Sequence, residues 1–199
     1  MLAGVDKRPT VRLGEAHRRL DASHPIMTGF KARRLRGPST MIDFLWSSLL
    51  IGIGATALMD VWAILLNKGF GIPLPNWGLV GRWFCHLPSG KVFHDDITKA
   101  APYSNELTIG WIAHYLVGIL YAGVLVWWGG AAWLAAPTFL PAWIVGIVTI
   151  GAGWFLLQPG MGAGWAASKK PNANQIRMLN FLTHTVFAAG LYGTALLLS

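Results

Sequence analysis

Four long apolar runs, residues 41–66, 107–128, 138–158 and 178–198, alternate with stretches rich in Gly, Pro and charge. A bilayer core needs about 20 apolar residues in helical form, so each run is long enough to cross one. No Lys or Arg falls inside them, and the only carboxylates within are Asp43, at the start of the first, and Asp60. Amides facing lipid must be paired within their own segment, and the alternating strands of a barrel, about ten residues each, are absent. The pattern predicts an all-α polytopic membrane protein, an antiparallel bundle of four transmembrane helices. The connections are about 40, 9 and 19 residues long, so the second and third helices form a hairpin and the two long loops share the opposite side of the membrane.

Composition agrees: 12% of the 199 residues are charged and 54% apolar, with 11 Trp and 24 Gly, where soluble domains carry about 25% charged residues. Mean hydropathy is +0.48. The one cysteine, Cys85, excludes an internal disulfide and a Cys-based metal cluster within one chain. Charge is uneven, because residues 1–40 hold nine of the 16 Lys and Arg against three acids. That segment reads as a basic, disordered N-terminal extension ahead of a transmembrane domain over 41–199, and Met41 reads as an alternative start. Orientation depends on the extension. With it, nine basic residues on the terminal side face seven on the long-loop side and the termini are cytoplasmic; without it the count is zero against seven and the long loops are.

The ionisable residues inside the spans fall at one depth. At a rise of 1.5 Å per residue, Asp60, His114 and His184 each lie about 9–10 Å beneath the long-loop end of their expected helices. Stripes of small and polar residues run with them: Gly52, Thr56 and Asn67 beside Asp60, Gly118 and Tyr121 beside His114, Asn180, Ala188 and Tyr192 beside His184. These stripes are expected to face the bundle interior and to bring the three side chains together. A carboxylate in the bilayer needs a partner, and His114, His184 or Arg82 dipping from the loop can supply it. Asp with two His also fits a divalent metal. The plain alternative is hydrogen bonding between helices with no ligand.

The first long loop adds candidates. Asn76 is placed to cap a short interfacial helix over 77–84 that carries Arg82 near the membrane surface, with His86, His94, Asp95, Asp96 and Glu106 following. His94 or Glu106 would act as acid, base or further ligand, and Arg82 would hold an anion. The second loop, with Gly160, Gly162 and Gly164 before Lys169 and Lys170, could cradle a lipid phosphate, but its spacing fits tight packing at a helix exit better than a phosphate motif.

A set of motifs over residues 49–198 is familiar: Gly54-Ala55-Thr56 with Met59-Asp60 and Trp62; Asn76 to Trp83 followed by His86, Pro88 and His94; Gly110-Trp111 with His114-Tyr115; Gln158-Pro159 with Gly162 and Gly164; and His184 with Gly190-Leu191-Tyr192. With these the chain resembles a family of small bacterial inner-membrane proteins catalogued only as a domain of unknown function. The resemblance implies a multi-pass protein of the bacterial inner membrane and supplies no activity.

The functional expectation therefore rests on the residues. They favour a metal-dependent or acid-base enzyme acting on an amphiphilic or lipid substrate, with Asp60, His114, His184, Arg82, His94 and Glu106 as catalytic candidates and Asp60, His114 and His184 as the metal set. The alternatives are a small dimeric proton-coupled transporter, a b-type haem carrier with His114 and His184 as axial ligands, and a structural or accessory membrane protein. The bilayer is the expected partner, a homodimer fits the transporter reading, and nothing beyond the basic segment points to nucleic acid.

Overall fold

The structure is a computed structural model that describes residues 40–199, so the expected basic extension lies, but for Thr40, outside the described residues. Five helices carry the fold: α1 (Met41–Phe70), α2 (Trp77–His86), α3 (Glu106–Ala135), α4 (Phe139–Gly160) and α5 (Ala173–Leu198). All but α2 are long and apolar enough to cross a membrane. The chain is an all-α polytopic membrane protein. Among the described residues there is no strand.

Helix ends follow local chemistry. The Thr40 hydroxyl accepts from the Asp43 amide at 3.1 Å to start α1. Gly71, in the left-handed region at φ 67°, ends it, with its N–H donating to the Asn67 carbonyl at 2.9 Å. Pro73 and Pro75 then prevent resumption. The expected cap at Asn76 is present, its Oδ1 accepting from the Leu79 N–H at 3.2 Å. The hairpin link differs from expectation. The chain breaks at Gly130 (φ 61°, ψ −164°), which only glycine adopts without strain, then coils through a further turn to Ala135. Trp133 pins that turn, donating from Nε1 to the Thr138 carbonyl at 3.0 Å.

α1 lies between α3 and α5, α2 packs along the first turns of α3, and α4 packs on α5. Small residues set these crossings. At Gly52 an added Cβ would strike the Ile119 backbone, at Gly190 the Ala55 backbone, and at Gly110 the Trp77 carbonyl. Without a hydrophobic force between helices in lipid, such backbone approach is what lets dispersion hold them. An apolar core of Ile51, Ala55, Ala122, Leu125, Val126, Leu191 and Ala195 fills the half nearer the α3–α4 hairpin.

α4 is not a plain helix. Its first α-helical stretch ends at Val148 and a short one follows at Ile150–Ala152, after which residues Gly153–Leu157 form a π-turn closed by the Gln158 N–H on the Gly153 carbonyl. Pro159 explains it, since its ring lacks an N–H and crowds the carbonyl four residues earlier. The two long loops dock on each other at the same end. The His94 amide donates to the Gly160 carbonyl (2.9 Å) and the Ile97 amide to that of Met161 (3.2 Å). Gly162, at φ 88°, has no room for a Cβ against the Asp95 backbone. The glycines of the second loop thus serve packing.

Candidate functional site

Asp60 on α1 faces α3. Its Oδ1 accepts from His114 Nε2 at 3.0 Å and its Oδ2 from the Tyr115 hydroxyl at 2.9 Å. With Asp60 as the carboxylate that accepts at both oxygens, His114 Nε2 carries the hydrogen of their contact, and in the neutral ring Nδ1 is then the lone pair. Trp77 at the start of α2 stacks on that ring, with centroids 3.8 Å apart and planes 25° from parallel. Gly81 and Gly110 let α2 come close enough for this, each lacking room for a Cβ against the other helix's backbone.

His184 on α5 is bound differently. Its Nδ1 sits 2.9 Å from the Gly146 carbonyl, and the Thr149 hydroxyl donates to the same carbonyl at 2.8 Å. A carbonyl only accepts, so Nδ1 carries the hydrogen and Nε2 the lone pair. No hydrogen bond or ion pair joins His184 to Asp60 or His114 among the described residues. What joins them is space. A cavity of about 390 Å³, mostly apolar, is lined by Thr56, Val117, Tyr121, Leu156 and Phe187 among others. A second, of about 380 Å³, is lined by Asp60, Trp154, Gln158, Asn180 and Thr183 among others. His114, His184, Trp77, Met59, Val80, Gly153 and Leu157 line both. In the second, Asn180 Oδ1 accepts from Trp154 Nε1 (2.9 Å) and Gln158 Nε2 (3.0 Å), drawing the π-turn against α5. The layer lies deeper than expected. Measured from the observed helix ends at Phe70, Glu106 and Ala173, the three residues sit about 12–17 Å along their axes.

The expected ion site is not assembled. Among the described residues no three His, Cys, Asp or Glu side chains converge to hold a metal, because His184 turns its Nδ1 to α4 and Asp60 spends both oxygens on α3.

The loop candidates serve the scaffold instead. Arg82 makes a two-point ion pair with Glu106 (Nε–Oε2 2.8 Å, Nη2–Oε1 2.9 Å), and its Nη1 reaches the carbonyls of Ile97, Thr98 and Ala100 at 3.3, 3.1 and 3.2 Å. The Glu106 hydrogen bond raises the Arg82 guanidinium above its already high value. Its guanidinium is thus committed to five acceptors of the scaffold. Glu106 is committed to Arg82 and to the Tyr103 amide (3.1 Å). His94 is buried with Nδ1 against the Gly160 carbonyl at 3.1 Å, its ring edge-on to His86 with centroids 5.0 Å apart. None of Arg82, His94 and Glu106 lines either cavity.

Two residues of the site were missed as candidates. Tyr115 follows His114 directly and lies about 100° around the helix, so a one-face pattern assigns only one of them. The sequence pattern puts Trp77 on an interfacial helix, whereas α2 is drawn onto α3. The pair of glycines, Gly81 and Gly110, was the available signal.

Residues 49–198 match the family model described as protein of unknown function (DUF2938). Over 92 residues, 46% of this chain, the sequence is 33% identical to chlorophyll synthase, chloroplastic, of Oryza sativa subsp. japonica, and the matched stretch is 20% of that protein's length. No solved structure matches the chain.

Proposed function

The chain belongs to the DUF2938 family, and from its geometry we propose that it is a membrane-embedded acid-base enzyme acting on an amphiphilic substrate, resident in the bacterial inner membrane. The observation that carries this reading is the Asp60 carboxylate held by His114 Nε2 and Tyr115, with the same imidazole lining both cavities. An intramembrane carboxylate is costly and marks a functional site by default. Here it is oriented, ionised and set behind a base.

In this reading His114 Nδ1 takes a proton from the substrate, and Asp60 stabilises the imidazolium that forms through the Nε2–H it already accepts. Tyr115 keeps the carboxylate charged by donating to its other oxygen. Trp77 fixes the ring plane so that Nδ1 cannot swing. The apolar cavity receives the chain of the substrate and the polar cavity, with Asn180 and Thr183, the opposite end. Helical spans and a free cysteine suit an inner membrane.

The test compares lipids. Purified wild-type protein, Asp60→Asn and His114→Gln are each incubated in nanodiscs with a bacterial total lipid extract, and products are read by mass spectrometry. A species formed by wild type and absent with both variants supports the reading; identical profiles from all three overturn it.

A further inference from the structure

The polar atoms around the cavities fix the chemistry of the head that fits there. In the neutral rings, His184 gives Nδ1–H to Gly146 and presents Nε2 as a lone pair, and His114 gives Nε2–H to Asp60 and presents Nδ1 as one. Both rings line the apolar cavity. So does Thr56, 1% exposed, whose hydroxyl has no hydrogen-bond partner among the described residues. Neither cavity has a Lys or Arg in its lining, Arg82 being spent on Glu106 and three carbonyls, and one ionised carboxylate faces the second. The lining thus offers ring acceptors and negative charge beside neutral donors, the hydroxyls of Thr56, Tyr121 and Thr183 and the Asn180 amide, and no cation.

We infer that the ligand is an uncharged, hydroxyl-bearing long-chain lipid, whose O–H donates to the His184 Nε2 lone pair, and that carboxylate and phosphate heads are excluded. Resting on the reading of this layer as a substrate site, the inference adds the substrate class. The chain of such a lipid leaves hydrocarbon for an apolar cavity and gains little, since lipid tails are as apolar as the lining. Discrimination therefore falls to the head. A hydroxyl brought down from the interface must find partners, and an ether cannot give what His184 accepts. An anion would meet Asp60 with no compensating cation.

The probes are dodecanol, its methyl ether and dodecanoate, each brominated at the chain end, added to the protein in nanodiscs at mildly alkaline pH. Quenching of tryptophan fluorescence reads occupancy, because Trp77 and Trp83 line the apolar cavity. Lipid-facing tryptophans are quenched alike by all three, so the reading is the difference displaced by unbrominated dodecanol. The alcohol is expected to bind about tenfold tighter than the ether, and the carboxylate not to saturate. His184→Asn keeps a donor to Gly146 at the Nδ1 position and lacks the Nε2 acceptor, so it should bind alcohol and ether alike.

An ether or carboxylate bound as well as the alcohol by wild type overturns the inference, as does a His184→Asn protein that still prefers the alcohol. Should that variant not fold, histidine nitrogen resonances of the wild type decide. The His184 Nε2 signal must move with dodecanol and not with the ether; a still signal refutes the inference. Asp60→Asn separates the two readings, because it stops acid-base chemistry and retains His184. Alcohol preference in a protein whose lipid products are unaffected by Asp60→Asn would sink the enzyme and keep the ligand class. Asp60-dependent products without alcohol preference would do the reverse.

Discussion

Replacing Asp60 by Asn and by Leu separates a working carboxylate from a merely structural one. Asp60 accepts two hydrogen bonds inside the bundle, at 3.0 Å from His114 and 2.9 Å from Tyr115. Each polar contact between membrane helices contributes about 0.6 kcal/mol on average and up to about 1.7. Leu removes both and strands two donors, so Asp60→Leu should cost about 1–3 kcal/mol. Asn keeps the shape. Its Oδ1 accepts from His114, and its amide donates to a Tyr115 hydroxyl rotated to receive it, so the cost should stay below about 1 kcal/mol. What Asn cannot supply is the charge that stabilises an imidazolium, and proton transfer by a positioned base is worth about 100- to 10,000-fold in rate. Stability is read by denaturant titration in mixed micelles and function by lipid turnover. The combination expected for Asp60→Asn is near-native stability with turnover lost. Turnover retained by Asp60→Asn would refute the argument, and so would equal destabilisation by Asn and Leu, because that would mean the two hydrogen bonds are not the ones described.

Arg82→Ala should destabilise the protein by about 2–4 kcal/mol, since it leaves Glu106 and three carbonyls without their partner; Arg82→Lys should recover little because a single ammonium cannot serve five acceptors, and thermal unfolding in detergent checks both. Gly110→Val should cost about 1–3 kcal/mol by forcing α2 off α3, with the Trp77–His114 stack lost and proteolysis after α2 accelerated. Ala166, at φ 47° and ψ 45°, is strained in the left-handed region, and Ala166→Gly should stabilise by about 0.5–1 kcal/mol in the same melts. Hydrogen bonds from the Thr98 hydroxyl and amide hold the Asp96 carboxyl below its usual value. The turn it caps is therefore fully supported above the ordinary carboxylate range of about 4 and loosens as pH falls through the lowered value, which exchange of the Thr98 amide would follow.

The spans were legible because lipid allows few solutions. An uninterrupted apolar run with no Lys or Arg has to be a helix, and all four runs are. Asp60 and His114 were legible for the same reason, since a polar group two turns into hydrocarbon has to turn inward and find a partner. The loops were not, because water leaves them many solutions. Arg82 and Glu106 read as reagents when taken singly, and only the folded loop shows them sharing one ion pair beneath three carbonyls. The π-turn was hidden as well. Pro159 was visible, but whether a proline ends a helix, kinks it or widens the turn before it depends on what packs alongside, here Asn180 holding Trp154 and Gln158. For His184 the pattern gives the shared layer but not the partner, because a periodic stripe fixes the side of a helix and not which neighbour a ring nitrogen meets.

The cavities persist in this bundle because backbone contacts bracket them. α1 touches α3 at Gly52 and α5 at Gly190, and α4 touches α5 at Gly146, where an added Cβ would meet Ala188 Cβ at 2.8 Å. Those crossings sit where helices are already as close as their backbones allow, so the gap on the long-loop side cannot close by pressing them together. The π-turn widens α4 just beyond its crossing, and α2, wedged against α3 through Gly81 and Gly110, closes the space from the loop side with Trp77, Val80 and Trp83. Tight packing and open volume are thus segregated along the bundle axis: the apolar core, with Leu125, Val126 and Leu191 almost fully buried, occupies the hairpin half, and the polar atoms line the other. A lipid tail that filled the gap would leave the histidine lone pairs and the Thr56 hydroxyl unpaired, so the occupant that suits it carries its own hydrogen-bonding head.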